Sequence, residues 1–588
     1  MRERLLVRHF LQRFLDHDLI SPQADRRHLL TVTGAMVIVT TLFLSVFISV
    51  KYQFDIFMPP GLTALFALDD RFFWFSLSTL VMALIAVAEW DALALDARDT
   101  AVLGALPIPG TAIVRAKFIA VALFVVGFDV ALILAPTVLR VAALPVMLPV
   151  TPAGVLILAA AHAACGLAAG AFGFIAVLGV RETLRALVGL AGFRKISAGL
   201  QALLVVFLAT SLLLLPVSYG AVARRWMTSG RVTPFAVPPL WFVGLHETLA
   251  GRAIDGIPRA VPPPRYAAAE HQATALYRSL WPLFHRLAVV AAVALVLAVV
   301  VTAIACAWNS RRLPAPPSGE RGGPGRLGRA FVWSASHLVA RDSATQAGFF
   351  FTLQCLARSA THRITIATSL ALGLALVMVN TGGIDGPRAS ALSTVPIHRL
   401  AVQTWVLAAV LTAFRHAVRV PAEVGANWTF HLAWPGDERP YLAGVKRAGL
   451  LTLVVPTLAL LFAWHTIAMM PRVALEHVAC GAAVAVLMME VFFVRYQKLP
   501  FASGYVRTDD LKSLVPLYVV AVLLLSLTLA AFERAALASL TGSVVFFGAL
   551  LAAIVGVHAV DVRRRRRRLP IDLDEPLGGT IRALELVR

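Results

Sequence analysis

Ionisable residues stranded in apolar sequence are the first places to look for chemistry, because lipid makes them expensive. Asp129 lies well inside the stretch Ala116 to Leu139, and Glu490 inside Val473 to Phe493. Each is a pathway candidate, a charge facing the interior of a helix bundle. The alternative is a structural pairing, and Arg495 stands five residues from Glu490. The neighbouring carboxylates Asp69 and Asp70 are what a membrane-embedded glycosyltransferase acting on a lipid-linked sugar would want in its first external loop. They also abut Arg71 at an expected helix start, where acidic residues cap the helix and complement its dipole. His162 and His465 read as packing histidines: His465 has no partner three or four residues away, and His162 has only Cys165. His477 likewise stands three residues before Cys480. Two isolated ligands do not close a metal site, so Cys165, Cys306, Cys355 and Cys480 read as small buried hydrophobes, and no metal or cofactor is expected in this chain.

Nucleotide chemistry is missing from the sequence. A phosphate-cradling loop needs glycines whose amides face phosphate and a lysine directly after the last of them. The lysines are Lys51, Lys117, Lys195, Lys446, Lys498 and Lys512, and none follows a glycine.

The elements that position these residues are long apolar stretches. The 588 residues are 59% hydrophobic and 14% charged, with mean hydropathy +0.79. A segment of roughly 20 apolar residues satisfies its backbone in lipid only as a helix. The sequence therefore predicts an all-α polytopic membrane protein of about twelve transmembrane helices. The first half offers Leu29 to Val50, Phe72 to Glu89, Ala116 to Leu139, Pro152 to Val180, Ala198 to Ala221 and Leu287 to Trp308. The second offers Ile364 to Asn380, Ile397 to Phe414, Leu450 to Met470, Val473 to Phe493, Leu514 to Ala531 and Leu537 to Val560, with a re-entrant pair possible around Pro471. Between the halves, residues 309–348 read as a cytoplasmic linker that opens with the proline- and glycine-rich NSRRLPAPPSGERGGPGRLGR.

Basic residues are retained on the cytoplasmic side. Counting them places both termini, the Arg181 to Lys195 loop and the Arg563 to Arg568 run on the cytoplasmic side, and residues 223–286 outside. No cleavable signal peptide is read in the first 28 residues. The net charge of +21 belongs to such loops and to the anionic leaflet, with no nucleic-acid partner expected. Two amphipathic stretches, within residues 1–28 and over 349–363, are expected to lie on the membrane surface at the start of each half.

Between the second and third spans, EWDALALDARDTAVLGALPIPGTAIVRAK alternates Asp91, Asp96 and Asp99 with Leu93, Leu95, Leu103 and Leu106 and stops at Pro107. It reads either as a short helix resting on a partner or as an ordinary interfacial hairpin. Here the chain resembles the ABC-2-type permeases, and within them large bacterial proteins that fuse two permease halves. The likeness is carried by WDALALDARDTAVLGALPI (Trp90 to Ile108), PPLWFVGLHETLAG (Pro238 to Gly251), LARSATHR (Leu356 to Arg363), ANWTFHL (Ala426 to Leu432), KLPFASGY (Lys498 to Tyr505) and the acidic tail around Asp572 to Pro576.

The resemblance implies a permease subunit, an exporter of an unknown substrate, driven by a separate ATPase that holds the ATP and Mg. It implies that Asp91, Asp96, Arg98, Asp99, Leu103, Leu106 and Pro107 seat the permease on that ATPase, with Asn427 and Trp428 at the matching position of the second half. It also implies a sizeable external region between the fifth and sixth spans, which residues 223–286 fit and the second half lacks. The competing expectations are the glycosyltransferase and an ion-coupled secondary transporter, which Asp129 would serve.

Overall fold

The computed structural model describes residues 2–15, 38–48, 50, 60–90, 110–147, 151–216, 222–228, 233–254, 267–311, 326–339, 341–380, 388–422, 430, 437–494, 496, 499–502 and 515–567. Among them there is no strand, only a bridge between Ala389 and Met469. Nine described helices are long and apolar enough to cross a membrane. The chain is a polytopic helical membrane protein; the expected spans each overlap a described helix, the first only over Ile38–Ile48. It forms two compact units, Met1–Gly319 and Glu320–Arg588, which part within the expected linker.

The first unit contains α1 (Arg2–Leu15), α2 (Ile38–Ile48), α3 (Pro60–Ala88), α4 (Gly110–Met147), α5 (Pro152–Leu214), α6 (Pro238–Ile254), α7 (Ala267–Ser279) and α8 (Trp281–Arg311). Thr151 starts α5 by accepting from the Gly154 N–H at 3.1 Å, with Pro152 in the first helical position. A straight helix of 63 residues would reach about 95 Å, three times the thickness of the hydrocarbon layer, about 30 Å. Instead Gly189, at φ 71° and ψ 169°, takes a conformation open only to glycine and divides α5 into two arms. These arms are the expected fourth and fifth spans.

Side-chain contacts fix the direction of each helix. Along α3, Phe75 meets His162, Ser78 meets Gly166 and Thr79 meets Ala169, so α3 and the first arm of α5 run parallel. Gln201 and Ser197 of the second arm meet Val87 and Trp90 in the opposite order, so that arm returns. On α4, Asp129 lies at Gly170 and Ile133 at Gly166, which makes α4 antiparallel to the first arm. Thr302 and Asn309 of α8 meet Ile175 and Glu182, which makes α8 parallel to it. This alternation is what short connections between successive spans require. At the end that carries Gly189, Leu6 and Phe10 of α1 pack on Ile113, Ala116 and Ala120 at the head of α4, so the stripe read as facing the membrane surface is taken up by a helix.

The second unit contains α9 (Ser343–Arg358), α10 (Ala360–Val379), α11 (Ile397–Arg419), α12 (Glu438–Gly449), α13 (Val455–Ala468), α14 (Pro471–Phe493), α15 (Val515–Ala536) and α16 (Leu540–Arg567). A π turn over Leu450–Val454 precedes Pro456. The wider turn absorbs the missing proline N–H and joins α12 to α13. The joined helix, Glu438–Ala468, has 31 residues and α14 has 23. Each is long and apolar enough to cross a membrane, and the turn at Met469 and Met470 joins them.

The second surface helix differs from expectation. It runs from Ser343, where Asp342 accepts from the Thr345 N–H at 3.0 Å, to Arg358, and not over 349–363. The Thr345 hydroxyl, which also donates to Asp342, and then the Thr345 N–H hold that carboxyl below the usual carboxylate range. At the other end, the Arg363 guanidinium donates to the carbonyls of Ala357 and Arg358, each at 3.0 Å, covering groups that the helix leaves open. Helix α9 is also not laid open on a surface. Thr345, Gly348, Phe349 and Thr352 are buried, and α9 crosses α12 where Gly348 faces the Tyr441 carbonyl and Gly444 faces the Thr345 carbonyl.

Candidate functional site

Of the residues expected to carry function, Asp129 and Glu490 lie among the described ones. Asp91, Asp96, Arg98, Asp99, Leu103, Leu106, Pro107, Asn427 and Trp428 lie outside them, as does Arg495.

Asp129 faces the bundle interior, 2% exposed. Its Oδ1 accepts from the Ser78 hydroxyl of α3 at 2.6 Å. Gly170 of α5 makes room for it, since a Cβ at that position would fall on the carboxylate. The niche is therefore built by three helices that converge on one acidic side chain. Among the described residues, no Lys or Arg forms an ion pair with it.

Glu490 is a pairing residue. Its Oε2 lies 2.8 Å from Lys446 Nζ of α12 and 3.4 Å from His558 Nδ1 of α16. Lys446 also stands 3.8 Å from Asp561, which accepts from Arg565 Nε at 3.0 Å. Arg565 donates to Glu438 at 2.5 Å, to the Phe493 carbonyl at 2.8 Å and to the Tyr496 carbonyl at 3.3 Å. One arginine of the basic run thus ties α16 to the first turn of α12 and to the carbonyls that end α14.

Two buried polar clusters were not anticipated. In the first unit, Glu247 of α6 is fully buried and forms an ion pair with Arg71 of α3. It also accepts from Tyr277 OH of α7 at 2.5 Å and lies 3.3 Å from His246 Nδ1. Burial alone would raise this carboxyl; Arg71, His246 and Tyr277 outweigh it and hold the group down, to about 2. His246 meets His162 edge-on at 6.1 Å, and His162 lies against Phe75 at 5.3 Å. In the second unit, His477 of α14 is fully buried, with Nδ1 2.6 Å from Glu533 of α15. Its ring meets His465 of α13 edge-on at 4.6 Å, and Gln403 of α11 donates to its carbonyl at 2.8 Å. The Nε2 atoms of His465 and His477 have no hydrogen-bond partner among the described residues. The ring that His465 packs against is thus a second imidazole, twelve positions away in the sequence.

A signal for both clusters stood in the sequence. His162-Ala-Ala-Cys165-Gly166 and His477-Val-Ala-Cys480-Gly481 place the same three residue types at the same spacing on α5 and α14. In each unit the histidine meets another histidine with a glutamate beside the pair. The four cysteines are free; Cys165, Cys355 and Cys480 are buried as expected, whereas Cys306 is only partly buried. Among the described residues no three His, Cys, Asp or Glu side chains form a group able to hold a metal.

The carboxylates of the glycosyltransferase expectation are corrected in position. Asp69 and Asp70 stand inside α3, which begins at Pro60, and are 2% and 1% exposed. They neither cap a helix nor lie in an external loop. The helix continues past the charges because α6 and α7 cover that face.

At the Gly189 end, Trp90 opens the segment read as an ATPase seat and is itself anchored. Its indole N–H donates to Ser197 at 2.8 Å, its ring stacks on Phe193 at 6.3 Å, and the Arg181 guanidinium lies 5.7 Å over it. Arg181 pairs with Glu182, whose Oε2 accepts from Asn309 at 2.8 Å. Compared with family models, curated proteins and solved structures, the chain matches none.

Proposed function

We propose that this protein is the membrane subunit of an ATP-driven transporter of the ABC-2 type, moving an unknown substrate across a bacterial inner membrane with a separate ATPase. The observation that carries the reading is the mounting of Trp90. The family-like segment leaves α3 from a side chain wedged between both arms of α5, so a force on the segment reaches three helices at once. Helix α1 packs at the same end of the first unit, and in the second unit Arg565 ties the first turn of α12, beside the matching segment, to α14 and α16. Ion-coupled transport is the second reading, favoured by the Asp129 niche with its Ser78 hydrogen bond.

In this reading the Gly189 end is cytoplasmic and residues 223–286 are external. A cysteine placed at Ser229 should label from outside right-side-out vesicles, and one at Ser318 should not. The reverse pattern would overturn the orientation.

Leu106→Asp tests the seat. A charge entering an apolar cleft unpaired is strongly unfavourable. The variant should insert normally, because the change lies outside every expected span, yet lose co-purification with the partner ATPase. Undiminished association in Leu106→Asp and in Asp96→Ala/Asp99→Ala would place coupling on another surface.

A further inference from the structure

The two buried histidine clusters differ in what neutralises their glutamate. In the first unit Glu247 pairs with Arg71, whose guanidinium stays charged throughout the range in which proteins fold. In the second unit Glu533 is 3% exposed, and among the described residues no Lys or Arg forms an ion pair with it. Its basic neighbour is His477, with Nδ1 2.6 Å from the carboxylate, and an imidazole is charged only when it binds a second proton. The net charge of this cluster therefore depends on a proton.

The surroundings supply no other compensation. Helix α13 presents His465, edge-on to His477 at 4.6 Å, and α14 presents Cys480, one turn on from His477 and beside Glu533. Helix α11 meets this region through Leu400 and Gln403, both buried and uncharged, and α16 through Leu550, which packs on Cys480. Of the charged residues close in sequence, Glu476 faces Arg472 at 3.2 Å and Arg534 donates to the Ser393 carbonyl at 2.8 Å. Arg399, one turn before Gln403, is not an ion-pair partner of Glu533 either.

Two ring nitrogens are open to a ligand. The Nε2 atoms of His465 and His477 have no hydrogen-bond partner among the described residues, although the side chains are 1% and 0% exposed. No third ligand among those residues closes the pair into a metal site. A proton needs only one nitrogen and a counter-charge, and both are present.

We infer that His477 and Glu533 form a reversible proton-binding site where α13, α14 and α15 meet. An ionised carboxylate only accepts hydrogen bonds, so Nδ1 carries the hydrogen that faces Glu533 and an arriving proton binds Nε2. Binding turns a buried carboxylate without a counter-charge into an ion pair of no net charge, which is the less costly of the two states. His465 stays neutral, because a second cation against the first would be repelled. The inference rests on the packing of the second unit and on neither transport reading.

The test uses the full-length chain in bilayers, carrying heavy nitrogen in its histidine rings. Solid-state magnetic resonance separates ring nitrogens that hold a proton from bare ones. The His477 signal, isolated by subtracting the spectrum of His477→Gln, should contain one bare nitrogen at about pH 8 and none at about pH 5, the interval in which histidine changes charge. The His465 signal, isolated with His465→Gln, should keep its bare nitrogen at both. In a Glu533→Gln background His477 should keep its bare nitrogen at both as well, since the counter-charge is gone. A His477 signal unchanged between the two conditions overturns the inference, as does loss of the bare nitrogen from His465 in its place, or titration of His477 that is the same in Glu533→Gln. Monodisperse elution establishes that each variant is folded. His477→Asn replaces His477→Gln where the latter is not, and the titration of the otherwise unaltered chain decides even where Glu533→Gln fails to fold.

Discussion

Glu247→Gln is expected to destabilise the full-length protein by about 3–5 kcal/mol, because it removes the charged carboxylate from a buried ion pair with Arg71. Both side chains are almost wholly buried, so water cannot replace the lost carboxylate. Tyr277 and His246 would lose a charged acceptor at the same time. The double variant Arg71→Met/Glu247→Leu should recover most of the loss, since apolar groups of similar volume leave no stranded charge. Thermal unfolding in detergent, followed by loss of monodisperse protein, measures both. The pH dependence has a definite sign. Glu247 is held to about 2 in the folded protein, against about 4.3 for an unperturbed glutamate. Its contribution is complete above the unfolded value and fades as pH falls through the folded one. Wild type should therefore lose stability across that acid window more steeply than Glu247→Gln. A single variant as stable as wild type would show that the pair contributes nothing net.

Gly348→Ala and Gly444→Ala should each cost about 1–3 kcal/mol, the range for overpacking a close contact. At either glycine a Cβ would fall on a backbone carbonyl oxygen of the crossing helix, Tyr441 for Gly348 and Thr345 for Gly444. Backbone atoms cannot rotate away, so α9 and α12 must separate. Gly348→Leu inserts a whole side chain and should prevent accumulation of folded protein in the membrane. Gly548→Ala and Gly556→Ala provide the control. Both lie in α16 with nothing within 4 Å of the added atom, and alanine is the better helix former by about 1 kcal/mol. They should be neutral or stabilising. Equal losses at all four positions would mean that the crossing is not close packed.

Hydropathy determined most of the architecture. Each expected span overlaps a described helix, and the two units part within the expected linker. The stripe of Leu6 and Phe10, read as facing the membrane surface, packs instead on the head of α4. Spans and linker are properties of single segments, set by how each partitions between water and lipid. The same rule erred where charge was covered by tertiary structure: it stopped the second span at Phe72, although α3 begins at Pro60 and buries Asp69, Asp70 and Arg71.

Pairing was decided only in three dimensions. Glu490 stood five residues from Arg495 in sequence, but its cation is Lys446 on another helix. Glu247 drew no notice, yet it joins α3, α6 and α7. His477 and Glu533 meet because α14 and α15 settle in one register, and Gly348 matters because α12 crosses at that turn. A sequence states which residues will leave water. Which of them then face one another depends on the rotation and register of packed helices, and those are fixed by the shapes of side chains far apart in the chain.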